Sequence, residues 1–322
     1  MRSIDGFMSA YEMEGVLLAR LQRARLKREQ GDARAAILLY RQIVQERPDY
    51  RPACMELARL LIETNRHDEA RELLLRYLES DPSDSEANFL IGVVLYVLGD
   101  FEGALRHYEV CRRAEGLDIS LAVNMALCYE ALGDYEKTAQ FLEVAVKQKA
   151  SNPRVWEALI DTYHHLRRHD EEARVAEAAL KVFPRNQRLL YLAARAHIQR
   201  GNHTAAVARL KRLLSLSPEN THAMRLLAHC LIELRHYDEA LAHLKDLVSI
   251  EPYDAENWLN LVQMHLALGA KDAAVKTLKL ALSKYLPEEP NLKAMLKGLT
   301  ERGEEAMLEG LTERGEGGDG DS

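Results

Sequence analysis

Residue types recur every thirty-four positions from Leu17 to Glu288, and this period restricts the fold more than any other feature of the chain. The clearest copy runs from Ser85 to Asp118. In it Phe89, Ile91, Leu95 and Tyr96 fall at helical spacing, Gly99 and Asp100 break the run, and Leu105, Tyr108 and Val110 resume it. The pattern predicts helix, turn, helix. Two helices this short cannot bury both of their faces alone, so the unit is stable only when stacked on its neighbours in an array. One elongated body with no internal linker is the expected organisation.

With each copy numbered from one at Leu17, position fifteen carries Gly31, Asn65, Gly99, Gly133, Arg167, Gly201, Arg235 and Gly269, which marks the turn. Position eight is mostly small, with Ala24, Ala58, Gly92, Ala126, Ala194 and Ala228, and position twenty holds Ala36, Ala70, Ala104, Ala206, Ala240 and Ala274. Small side chains there let two helix backbones approach. Position thirty-two carries Pro48, Pro82, Pro184, Pro218 and Pro252, where the missing amide hydrogen ends the second helix. Only 6% of residues are aromatic and the background is charged, which suits helices; no strand pattern is present.

These residues resemble the tetratricopeptide repeat family, whose pattern has an aromatic at four, Leu-Gly at seven and eight, Tyr at eleven, Ala at twenty and Pro at thirty-two. Trp156 and Trp258 supply the aromatic, Ile91 and Gly92 the central pair, Tyr129 and Tyr163 position eleven, and the alanines and prolines above the rest. The resemblance implies an all-α fold, a right-handed superhelical solenoid of about eight helix-turn-helix units with a C-terminal capping helix. Thr138 and Glu172 depart from it at position twenty, with Ala139 and Ala173 one step later, and Ile160 and Val262 enlarge position eight. Altered packing is expected in repeats four and five.

The expected division is an N-terminal arm or short leading helix at 1–16, the repeats at 17–288, a capping helix at 289–300 and an acidic glycine-rich tail at 301–322. Phe7, Met8, Tyr11 and Met13 give the arm its apolar surface, and Leu292, Met295, Leu296 and Leu299 give the cap its own. From about Gly315 the composition predicts disorder. Of the net charge of −7, the stretch Leu299 to Ser322 supplies most, with eight acids against Arg302 and Arg314. The body is nearly neutral, so bulk attraction to nucleic acid or to an anionic membrane is not expected. The longest apolar run, Phe89 to Gly99, falls short of the roughly 18 to 20 residues that span a bilayer. Asp5 and Gly6 stand where a signal peptide would place its apolar core, and a cytoplasmic protein is expected.

No phosphate loop, H-E-x-x-H or G-x-S-x-G motif occurs, which points away from catalysis and from a cofactor. His164 and His165 are adjacent and point about 100° apart on a helix, a poor chelate; His165 and His169 have the better spacing, but the second lies in the turn. Solvated histidine is the favoured reading and no metal is expected. Cys54, Cys111, Cys128 and Cys230 form no C-x-x-C pair and sit in apolar helical patterns, as core thiols do.

Positions two, five, nine, twelve and thirteen share one side of each first helix. In the family this pattern resembles, that side lines the concave groove. Repeats three and four place Phe89, Val93, Tyr96, Val97, Val123 and Leu127 there, an apolar zone suited to a helix or an apolar peptide, or covered by the chain's own arm. Repeats five to seven place Arg154, His164, His165, Arg188, Tyr191, Arg195, His222, Arg225 and His229 there, with Glu157, Asp161 and Glu233 as the local acids. This cationic zone suits an acidic segment or the acidic tail; salt bridges from Glu157 or Asp161 to Arg188 or Arg195 are the competing reading. The family's clamp for a C-terminal carboxylate is matched only by Arg225, His229 and Asn260, with Lys293 and Lys297 as substitutes. Arg20, Arg23 and Lys27 in repeat one read as a polar cap, or with Arg25 and Arg28 as a basic docking patch. The functional expectation is a non-catalytic scaffold or adaptor that binds peptide segments of protein partners. The alternatives are a self-assembling adaptor, whose arm enters a neighbour's groove, and the accessory subunit of a separate enzyme.

Overall fold

The computed structural model describes residues 4–301, with side chains from Glu14 onward. Among these residues there are seventeen helices and no strand. The chain divides into two compact units, Met1–Leu166 and Arg167–Ser322. The first holds α1 (Ile4–Glu29), α2 (Ala33–Glu46), α3 (Arg51–Glu63), α4 (His67–Ser80), α5 (Ser85–Val97), α6 (Phe101–Glu115), α7 (Ile119–Ala131), α8 (Tyr135–Lys147) and α9 (Pro153–His165), each packed on the next. The second holds α10 (His169–Val182), α11 (Gln187–Gln199), α12 (His203–Leu216), α13 (Thr221–Glu233), α14 (Tyr237–Ile250), α15 (Ala255–Ala267) and α16 (Lys271–Lys284), packed in the same sequential way. A further helix, α17, covers residues 290–301 and buries Leu292 completely. Each unit is thus an α-solenoid of stacked helix-turn-helix repeats. The helix α1 begins at Ile4, so the arm's backbone continues the first helix. The side chains of Phe7, Met8, Tyr11 and Met13, and the tail from 302 to 322, lie outside the described residues.

The turn at position fifteen has one backbone solution in every copy. All eight residues have φ between 55° and 85°, including the non-glycines Asn65, Arg167 and Arg235. That left-handed step lets the next N–H reach back five residues, as Asp32 does to the Lys27 carbonyl at 2.9 Å and His236 to Leu231 at 2.8 Å. The following residue then caps the second helix: Asp32, Asp100, Asp134 and Asn202 each accept a backbone N–H three positions on. Asp84, Asp118, Asn186 and Asn220 do the same for first helices.

An L-residue in the left-handed region is strained by about 1 to 2 kcal/mol, and glycine loses part of that gain to its freer unfolded chain. Arg235, at φ 60°, is exposed and its side chain forms none of the ion pairs among the described residues. Arg235→Gly is therefore expected to stabilise by about 0.5 to 1 kcal/mol. The neighbouring Leu234 has φ −82°, so Leu234→Gly should destabilise. Melting curves that fall for both variants would contradict the turn assignment.

The core follows the small and large positions of the repeat. Position-eight alanines Ala24, Ala58, Ala126, Ala194 and Ala228 are buried, as are the position-twenty alanines. Gly92 sits under the Tyr108 ring so closely that an added Cβ would lie 2.4 Å from its Cε1. In four copies position four does more than fill space: it donates to the carbonyl at position thirty-two of the preceding copy. Trp156 Nε1 reaches Ala150 at 3.0 Å, Trp258 Nε1 reaches Pro252 at 2.8 Å, and Asn88 Nδ2 reaches Pro82 at 3.0 Å. Cys54 Sγ makes the weaker equivalent to Pro48 at 3.2 Å. These bonds satisfy a carbonyl left over where the second helix stops.

At the departures from the pattern, Thr138 is buried and donates to its own helix at the Asp134 carbonyl, 2.9 Å away. Glu172 is buried at 0% exposure, and Arg195 and His169 both lie 3.0 Å from it. All four cysteines are free and buried. Burial pushes the thiols of Cys54 and Cys128 up to about 12 and that of Cys230 up to about 11.

Candidate functional site

The apolar zone is carried by α5 and α7, which touch each other in the first unit. Phe89, Val93, Tyr96, Val123 and Leu127 are half-buried, and Val97 is 52% exposed. Packing explains the half-burial. The Phe89 ring lies 5.9 Å from that of Tyr108, and the Tyr96 ring 5.6 Å from that of Phe101. Both aromatics are thus anchored on α6 while keeping an edge toward solvent. Val123 and Leu127 open onto a pocket of about 150 Å³ walled by Leu142, Val155 and Ala158, and exposed Arg154 stands at its edge. The structure thereby joins two apolar-zone residues with one of the cationic set.

A second cleft in the same unit holds about 570 Å³ and borders Phe89. Its walls carry Asp84, Glu86, Glu115 and Asp118 with Arg51. Asp84 is buried; Arg51 Nε donates to it at 2.5 Å and Tyr77 Oη at 3.2 Å. Burial raises the Asp84 carboxyl, but the hydrogen bonds from Arg51 and the Ala87 amide outweigh that and hold it below the usual carboxylate range. None of the four acids is among the residues that the sequence pattern marks as a site. The available signal is Gly116 at position thirty-two, where five other copies have proline, between Glu115 and Asp118.

Arg20 is paired within repeat one, and Arg25 and Arg28 reach the second repeat. Arg20 pairs with Glu46 at 2.6 Å, Arg25 Nε donates to Glu56 at 2.8 Å, and Arg28 pairs with Glu63 at 2.5 Å. Burial pushes the Glu56 carboxyl up, but Arg25 and Tyr40 hydrogen bonds overcome it and leave the group lowered. Also in this unit, His164 is half-buried with its ring 6.5 Å from that of His165, and His165 stacks on Tyr135 at 5.0 Å.

In the second unit the cationic residues separate into two groups. Arg188, Tyr191 and His222 converge on a cleft of about 390 Å³. Tyr191 Oη and His222 Nε2 are 3.0 Å apart, and the Arg188 guanidinium lies 5.6 Å over the Tyr191 ring. Arg195 and Arg225 are engaged inward. Arg195 holds buried Glu172, while Arg225 meets Asp254 at 2.7 Å, Asn257 at 3.1 Å and Glu251 as well. Glu172 belongs to a second helix, and the acids that meet Arg225 lie in the loop before α15. The positive excess expected of this zone is correspondingly reduced. His229 is exposed with its ring 6.2 Å from that of His203, and Asn260 is half-buried. Lys293 pairs with Glu288 and Lys297 with Glu301, at 2.9 and 3.5 Å. Among the described residues, no helix is long and apolar enough to cross a membrane.

Comparison with known proteins agrees with this architecture. The tetratricopeptide repeat model matches residues 27–90, 197–247 and 235–298, and a second model of the same description matches 122–148. No curated protein matches the chain. Among solved structures, a chain from the Naa15/Naa10 complex bound to HypK-THB is similar with a TM-score of 0.59 and 17% identity over 88% of this chain. The present chain spans 44% of that one. The C-terminal part of a TPR repeat-containing protein from Cytophaga hutchinsonii is similar at TM-score 0.64 and 15% identity, over 75% of this chain and 99% of that one. YrrB, described as a TPR protein with an unusual peptide-binding site, is similar at TM-score 0.50 and 18% identity, over 58% and 96%. At such identities these likenesses speak to the fold. The matched repeats, together with the phased turns, small positions and stacked helix pairs, establish that the chain belongs to the tetratricopeptide repeat family.

Proposed function

We propose that the chain is a non-catalytic scaffold that takes a peptide segment of a protein partner on the first-helix faces of repeats three and four. The observation that carries this reading is the strip formed by Phe89, Val93, Tyr96, Val97, Val123 and Leu127. Its aromatics are fixed from behind by Tyr108 and Phe101, and Val97 stays 52% exposed. A pre-organised apolar strip on rigid helices suits a helical or extended segment, because little ordering is needed on binding. The Arg188, Tyr191 and His222 cleft is a second contact zone for an acidic or C-terminal segment. Four buried thiols suit a reducing compartment, and we place the protein in the cytoplasm.

Tyr96→Asp is the test, since a carboxylate in the strip opposes an apolar ligand while its half-exposed site leaves the fold intact. Cross-linked partners of the full chain and the variant are compared by mass spectrometry, with helix content followed by circular dichroism. Partner recovery is expected to fall about tenfold, equivalent to about 1.4 kcal/mol, at unchanged helix content. An identical partner set would remove this face from consideration. Under the accessory-subunit reading, the recovered partner is itself an enzyme. If the arm at 1–16 instead serves self-assembly, deleting it lowers the mass in solution.

A further inference from the structure

Where Phe89 ends the apolar strip, the surface turns acidic. The cleft of about 570 Å³ on that side presents four carboxylates, Asp84, Glu86, Glu115 and Asp118, against one lining cation, Arg51. Arg51 is already divided between Asp84 and Glu86, at 2.5 and 2.9 Å, and Arg59 adds a contact to Glu86 at 2.6 Å. Glu115 and Asp118 are different. Both are exposed, and neither holds an ion pair among the described residues. Asp118 spends Oδ1 on capping the Leu121 amide at 2.7 Å and keeps its other oxygen. The nearest cations on α6, Arg112 and Arg113, turn back to Glu109 at 2.6 and 3.5 Å. Even with Arg59 counted, the cleft keeps two uncompensated negative charges.

The remaining wall mixes one aromatic ring and apolar surface with Cys111 and two serines, Ser85 and Ser120. Phe89 borders the cleft, Leu121 lies behind it, and Gly116 leaves the mouth without a side chain. A planar cation that stacks on an aromatic ring and donates to two carboxylates is a guanidinium; an ammonium is more strongly hydrated and matches such a fork less well. An acidic residue arriving here would meet uncompensated like charge. We propose that this cleft receives an arginine side chain of the segment bound on the apolar strip, so that the partner of this face is apolar with arginine rather than acidic. This rests on the strip being a segment-binding face, and it names what that face selects.

The test uses the full chain and three fluorescein-labelled amphipathic peptides of about twelve residues, alike except that the polar positions hold arginine, glutamine or glutamate. Anisotropy at low salt is expected to show the arginine peptide binding about tenfold tighter than the glutamine peptide, with the glutamate peptide weakest, and the preference should shrink as salt rises. The variant Glu115→Gln with Asp118→Asn removes two charges, and asparagine still caps α7. It should lose most of the arginine preference while binding the glutamine peptide as before. Equal binding of arginine and glutamate peptides, or full preference in the double variant, overturns the proposal. If all three peptides bind alike and Tyr96→Asp abolishes that binding, the strip is a binding face but the cleft does not select arginine. If none binds, both readings fall.

Discussion

Gly92→Leu is expected to be among the most damaging single substitutions in the chain. Gly92 lies at position eight of the third repeat, where α5 meets α6, and its Cα faces the Tyr108 ring. A Cβ there would lie 2.4, 2.7 and 2.8 Å from Cε1, Cδ1 and Cζ of that ring, well inside contact distance. Tyr108 is 1% exposed and packs against Phe89, so it has no open space to enter. Overpacking a close-packed helix contact costs about 1 to 3 kcal/mol, and the leucine branch should place this case at the upper end. Urea unfolding checks it, with Gly92→Ala as the smaller step. The cause can be isolated by adding Tyr108→Ala: if the ring is the obstacle, the double variant recovers part of the loss, because each change removes what the other suffers from. A Gly92→Leu protein as stable as the parent would mean that α5 and α6 are packed in another register.

Arg195→Ala is expected to destabilise by about 2 to 4 kcal/mol, as breaking a buried ion pair does. Glu172 has no exposed surface, and Arg195 reaches it through Nε at 3.2 Å and Nη2 at 3.0 Å. Removing the guanidinium strips a charged partner from a carboxylate with no exposed surface. Arg225 is the control. It and its partners Glu251 and Asp254 are each about a third exposed, with values of 33%, 33% and 35%, and solvent screening brings the expected loss for Arg225→Ala to about 0 to 1 kcal/mol. Glu172→Ala restores the residue the family favours at position twenty, and Arg195 at 20% exposure can then turn to solvent. Both Glu172→Ala and the double variant should therefore lie within about 1 kcal/mol of the parent. Denaturation midpoints that leave Arg195→Ala unchanged would show that the pair carries no stability. The comparison also separates a buried arginine pair from a solvent-screened one.

How much of this was legible without coordinates differs between backbone and surface. The turn at position fifteen, the buried alanines at eight and twenty and the end of the second helix near thirty-two are local features, each repeated in phase. Helical spacing, left-handed turn residues and proline act through neighbours a few residues away, so a linear pattern carries them. Even Arg167 and Arg235 could be assigned to the turn by phase alone, although neither favours that conformation. The apolar character of Phe89, Val93 and Val97 was readable for the same reason, since one helix face is a matter of counting.

The charge on those faces was decided elsewhere. Arg195 finds Glu172 twenty-three residues earlier, and Arg225 finds Glu251 and Asp254 twenty-six and twenty-nine residues later. Which carboxylate neutralises which arginine depends on how one repeat is set against the next, to within an ångström or two. The acidic cleft arises in the same way, from the end of α6 and the starts of α5 and α7 brought side by side. By itself the sequence determined the repeat, its turns and its apolar seam, because these rest on interactions of short range. Only the tertiary structure decided where charge is left uncompensated, because Coulomb partners are chosen by distance in space and not along the chain.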